Sequence, residues 1–147
     1  APMDSLNLIR PVLVKAIVTE SFKTSAAAEH QELIRRLEKE IEHIDDQESK
    51  LIAALEKKNP EGLANARQTL KQERLRRAEE RQKLLMRLKE IGMWSLDSEV
   101  TLGKMESPVT LQVGDQWNRM MSVEIILKDG FVTEIREGGT GVDRGDA

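Results

Sequence analysis

Arg67, Arg74, Arg77 and Arg81 recur at spacings of seven, three and four residues. Those spacings put side chains on one stripe of an α-helix. Leu63, Leu70, Leu85 and Leu88 fall on the same stripe, which is apolar at both ends and arginine-rich in the middle. Such a row can act in two ways. Turned inward, the arginine stems cover an apolar seam while the guanidinium groups reach Glu38, Glu42, Asp45 and Glu48 on a partner helix. That arrangement is a polar layer that fixes register at some cost in stability. Turned outward, with Lys71, Arg76 and Lys83, the same groups bind phosphate. No aromatic residue is interleaved, so base stacking is not expected there. The sequence leaves both directions open.

Other chemistry finds less support. His30 and His43 lie thirteen positions apart, not at the i, i+4 spacing of a helical metal site. There is no cysteine, hence no disulfide and no thiolate zinc site. Phosphate-binding glycine loops and the GxSxG nucleophile pattern are missing. Carboxylates are abundant, but they fall on helices facing water, and general acid–base work needs a cleft that shifts a pKa. The expectation is a non-enzyme, with no catalytic, cofactor-binding or metal-ligating residue to assign. Arg144-Gly145-Asp146 matches an adhesion tripeptide by coincidence. Trp94 and Trp117 are expected to pack in a core or an interface.

Composition sets the frame that must hold these residues. The chain has 147 residues, 33% charged and 3% aromatic, with no tyrosine. That balance favours long solvated helices over an aromatic-rich globule. Of the formal net charge of -3, only residues 60–92 are basic, so no nucleic-acid footprint covers the whole chain. No apolar run reaches the roughly 20 residues of a bilayer span, and no signal peptide is evident. A soluble, cytoplasmic protein is expected.

Val12–Val18 is apolar and β-branched and reads as a strand. Thr19 caps a helix running to about Lys58, ahead of Pro60. Ile34, Leu37, Ile41, Ile44, Leu51 and Leu55 follow heptad spacing, with Glu48 in the seam. Asn59-Pro60-Glu61 starts a second helix that ends near Ile91, with Gly92 after it. So short a turn, near residues 58–62, predicts an antiparallel coiled-coil hairpin over 20–92. Its helices measure about 58 Å and 48 Å at the helical rise, so the hairpin must project from the remainder. Facing residues should have numbers adding to about 119, which sets Glu48 level with Lys71 and near Arg74. Beyond Gly92 the period changes. Val109–Val113 alternates, Gly114-Asp115 turns, and Met121–Leu127 and Phe131–Ile135 flank the hairpin signal Lys128-Asp129-Gly130. Residues 1–5 and 138–147 are expected to be loose.

Three segments carry a resemblance: VLVKAIVT at Val12–Thr19, VGD at Val113–Asp115, and MSVEIILKDGFVTEIRE at Met121–Glu137. With the helical hairpin between them they resemble the YlqD-like family of small bacterial proteins, most closely its cyanobacterial branch. The resemblance implies a bacterial cytoplasmic protein and supplies no site residues.

The expected fold is α+β: a long antiparallel coiled-coil helical hairpin (20–92) inserted into a small antiparallel β-sheet or barrel (6–19 plus 93–137). A β part of this size buries too little surface to be stable alone, and each helix buries one stripe only. A homo-oligomer is therefore expected, joined by sheet edges or helix faces. Leu33, Ile52, Met120, Met121 and Trp117 are its candidate contacts, besides the four arginines. The expected function is an oligomeric scaffold or adaptor that presents the hairpin to a protein partner. The alternative is an RNA- or ribosome-associated protein using the basic second helix and the β part. No membrane partner is expected.

Overall fold

The structure, a computed structural model, describes residues 1–138. The elements are β1 (Ser5–Ile17), α1 (Glu20–Leu55), α2 (Pro60–Met93), β2 (Glu99–Gln112), α3 (Trp117–Met121), β3 (Val123–Lys128) and β4 (Phe131–Glu137). The expected loose tail and its Arg144-Gly145-Asp146 tripeptide lie outside the described residues from residue 139 on. The chain divides into two compact units. One joins Ala1–Lys23 to the chain from Trp94 onward; the other is Thr24–Met93.

The first unit is built on β1. Its Val12–Ile17 run is apolar on both faces, apart from Lys15, and such a strand is stable when it has neighbours on both sides. It has them: the sheet order is β2-β1-β3-β4. β1 pairs antiparallel with β2 from Ser5↔Gln112 to Ile17↔Glu99, with a register shift between Val14 and Lys15. It pairs parallel with β3 from Val12↔Val123 to Ala16↔Leu127. β3 and β4 form an antiparallel hairpin. The sheet is therefore mixed, not antiparallel as expected. It is also open, with β2 and β4 at its edges, and not a barrel. The cause is the connection after β2. It passes the end of β1, where Val113 N donates to Asp4 O at 3.0 Å, and delivers β3 to the far side of β1. A strand's apolar pattern does not encode which neighbour it takes.

Two strand boundaries and one element also differ. β1 starts at Ser5, not Val12, and β2 starts at Glu99, not Val109. α3, a single helical turn, was not expected. The Asp129-Gly130 turn matches expectation: φ is 48° and 85°, the positive pair of a type I′ hairpin turn. Asp129 Oδ1 then accepts hydrogen bonds from Thr19 Oγ1 (2.6 Å) and Ser21 Oγ (3.1 Å). Thr19 Oγ1 in turn accepts from Phe22 N at 3.0 Å, the N-cap read from the sequence. Trp94 is buried and stacks on Phe22 at 5.7 Å between ring centroids.

In the second unit, α1 ends at Leu55, three residues short of Lys58. Asn59 caps α2 as expected, with Oδ1 accepting from Gly62 N at 3.0 Å. α2 continues through Gly92 to Met93, so Gly92 is helical and not the expected residue beyond the end. Ile34, Leu37 and Ile44 are buried on α1, but on α2 only Leu63 and Ile91 are. Leu75, level with Ile44, is 58% exposed. The apolar seam is thus well covered on one helix and sparsely on the other.

Ile126, fully buried on β3, is expected to lose about 2–5 kcal/mol of stability as Ile126→Ala. Exposed Ile135 on β4, as Ile135→Ala, is expected to lose less than about 0.5 kcal/mol. Chemical denaturation measures both.

Candidate functional site

The arginine stripe of α2 faces α1. Arg74 Nε donates to Asp45 Oδ1 at 2.8 Å and Arg81 Nη2 to Glu38 Oε2 at 2.8 Å. Arg67 Nε lies 3.4 Å from Glu48 Oε2, and Arg77 Nε 3.4 Å from Glu40 Oε2. Asp45–Arg74 and Glu38–Arg81 fall at the expected summed number of about 119. Glu48 lies in one groove with Lys71 and Arg74 as expected, but its ion-pair partner is Arg67, and Glu40 holds Arg77 where Glu42 was expected to serve. Asp45 takes Arg74 instead. Its hydrogen bond and charge raise the pKa of the guanidinium above the ordinary arginine value.

These four pairs are half open to water, with side-chain exposures from 31% to 53%. Pairs this open to water are individually weak. Two grooves flank Ile44. One, of about 360 Å³, is lined by Asp45, Glu48, Arg67, Lys71 and Arg74. The other, of about 390 Å³, is lined by Glu40, His43, Glu73 and Arg77. The remaining candidates are scattered. Leu33 is 42% and Trp117 62% exposed, while Ile52, Met120 and Met121 are half-buried. Met120 contributes through its carbonyl, which accepts from Arg10 Nη1 at 2.7 Å. His30 Nδ1 lies 2.9 Å from Ala26 O within its own helix. Among the described residues no group of three His, Cys, Asp or Glu is placed to hold a metal ion.

Sequence reasoning missed a second cluster, in the sheet. Lys15 on β1 and Glu124 on β3 are its buried charged residues, at 8% and 5% exposure, and their side chains meet at 2.7 Å. Arg136 on β4 lies 3.7 Å from Glu124 and makes two hydrogen bonds to Glu99 on β2, of 3.0 and 2.7 Å. Glu134 adds a 3.1 Å contact to Arg136. β2 and β4 are opposite edges, about 14 Å apart in a flat four-stranded sheet. Arg136 bridges them, so the sheet is curled on this face although no strand ladder closes it. The curl shelters Lys15, Glu124 and Ile126. The signal available was a single charge inside each of two apolar runs, VLVKAIV and SVEIIL. A cleft of about 140 Å³ beside Glu124, lined also by Leu13, Lys104 and Met121, is well under the roughly 300–1,000 Å³ of ligand pockets.

A model of the YlqD protein family matches residues 6–136. The chain belongs to the YlqD family. The match takes in both units and bears out the resemblance read from three segments. Among solved structures, a protein of unknown function from Synechococcus sp. WH 8102 is similar, with a TM-score of 0.73. The two are 24% identical over 90% of this chain and 95% of that one. That likeness shows a shared fold. No curated protein matches. Neither finding assigns an activity to the YlqD fold. No helix among the described residues is long and apolar enough to cross a membrane.

Two outcomes are expected. Glu124→Gln leaves Lys15 buried without its counter-charge and should cost about 3–5 kcal/mol. Lys15→Met combined with Glu124→Leu should recover most of that loss in the same denaturation assay. The second concerns pH. Hydrogen bonds from Arg136 hold the Glu99 carboxyl below its usual pKa. A depressed folded-state pKa gives stability that is present above the unfolded value and lost as pH falls through the folded one. The thermal midpoint should drop as pH falls below the ordinary carboxylate range, and Glu99→Gln should make that drop shallower.

Proposed function

We propose that this YlqD-family chain is a non-enzymatic, oligomeric scaffold or adaptor. In this reading α1 and α2 form an antiparallel coiled-coil hairpin whose outer surface engages a protein partner. The observation that carries the reading is the pairing of Arg67, Arg74, Arg77 and Arg81 with Glu48, Asp45, Glu40 and Glu38. Side chains engaged in this way set the register of two helices and are withdrawn from phosphate binding. The grooves beside Ile44 and the exposed Leu33, Leu75 and Met86 leave both charged and apolar surface for a protein. Location in the bacterial cytoplasm follows from the family resemblance and is part of the same proposal.

The RNA reading keeps one specific support. Arg76 and Lys83 stand exposed on α2 without a salt bridge among the described residues. A single experiment separates the readings: affinity capture of the full chain from its source cell, with and without nuclease, beside Leu33→Lys/Leu75→Lys. The scaffold reading expects a defined protein that survives nuclease and is lost with the variant. Capture abolished by nuclease, with binding to purified RNA that weakens as salt rises, would overturn it.

A further inference from the structure

β1 and β2 run on past the rest of the sheet. β3 covers β1 only from Val12 to Ala16, so Ser5–Pro11 and Glu106–Gln112 form a two-stranded ribbon in unbroken register. Alternation sorts its side chains. Leu6, Leu8, Val109 and Leu111 share one face, extended at the tip by Val113. Ser5, Asn7, Ile9, Pro108, Thr110 and Gln112 share the other, where Thr110 Oγ1 donates to Asn7 Oδ1 at 2.7 Å and Ile9 is the one large apolar side chain exposed. On the apolar face Leu6 is 52% and Val113 83% exposed.

Such a ribbon is marginal in water by itself, and an apolar sheet face is stable when another layer covers it. Its charge identifies the cover. In a chain that is 33% charged, Ser5–Ile9 and Ser107–Gln112 contain no charged residue, and Arg10, on the same face at the root of the ribbon, is engaged by the Met120 carbonyl. A polyanion or a strongly charged protein finds nothing complementary there. A two-fold contact instead needs a patch that matches itself and does not repel itself, and an uncharged leucine–valine face meets both conditions. We propose that this ribbon face is the self-association surface, covered by the same face of a second copy. The inference deepens the oligomeric part of the scaffold reading and rests on it. The face measures about 24 Å by 10 Å from strand geometry, short of the roughly 800 Å² per partner of a standard interface. The dimer must therefore depend on concentration.

The test is sedimentation of the full chain over a concentration series. The expected result is a species of twice the 16.7 kDa chain mass. Leu6→Lys/Val113→Lys should weaken association roughly tenfold or more, with an unchanged circular dichroism spectrum, and Met86→Lys should not. Single-cysteine chains give a second readout, because the protein has no cysteine of its own. A short thiol cross-linker should join Leu6→Cys copies and not Met86→Cys copies. A ribbon variant that dimerises like the wild type, or cross-linking confined to Met86→Cys, overturns the ribbon and leaves the oligomeric reading standing. A wild type that stays monomeric at every concentration overturns both.

Discussion

Arg136 ties together two strands that the sheet itself does not join. β2 and β4 sit at opposite edges of the order β2-β1-β3-β4, and the paired hydrogen bonds to Glu99 draw them toward each other. The curl that results gives the Lys15–Glu124 pair a sheltered face without a closed barrel. A barrel would satisfy its edge strands by pairing them. This sheet uses a chain of alternating charges, Lys15, Glu124, Arg136 and Glu99, at its root. It leaves the far end of β1 and β2 as a bare ribbon. The buried root and the exposed ribbon therefore share one cause: β3 and β4 are about half as long as the strands they join.

The two charge systems work at different strengths. In the sheet, Lys15 and Glu124 have lost nearly all contact with water. Removing Glu124 strands Lys15, whereas removing Lys15 leaves Glu124 beside Arg136; a fully apolar replacement of the pair is tolerated. Between the helices, the arginine–carboxylate pairs are solvated and individually weak. Their value lies in number and spacing, which select one register where the sparse apolar cover of α2 does not. The second unit offers a long, mixed-charge surface.

Much of this was legible locally. The caps at Thr19 and Asn59, the Asp129-Gly130 turn and the heptad spacing of α1 are short-range chemistry, and the structure repeats them. The acidic partners of the arginines were legible to within a turn, since a short connection fixes the helical register; Glu48 took Arg67, and Glu40 rather than Glu42 took Arg77. What the sequence hides is non-local. Ser5–Pro11 and Glu99–Pro108 are strands because of the β1–β2 ladder, in which they pair with Glu106–Gln112 and Ile9–Ile17, not because either alternates strongly, and Gly103 and Pro108 interrupt the β2 pattern. The parallel placement of β3 depends on the path past the end of β1, which no residue type announces. Lys15 and Glu124 each stand out in an apolar run, but their meeting follows from that placement. Membership of the YlqD family was readable from the same β segments.

The account stands on the Arg136–Glu99 bridge being a structural tie and not an incidental surface contact. A double-mutant cycle on these two residues, read by chemical denaturation, tests that directly. The account expects a favourable coupling of about 1–3 kcal/mol, as for a partly buried, charge-assisted pair. A coupling below about 0.5 kcal/mol, the level of a solvated ion pair, would contradict it.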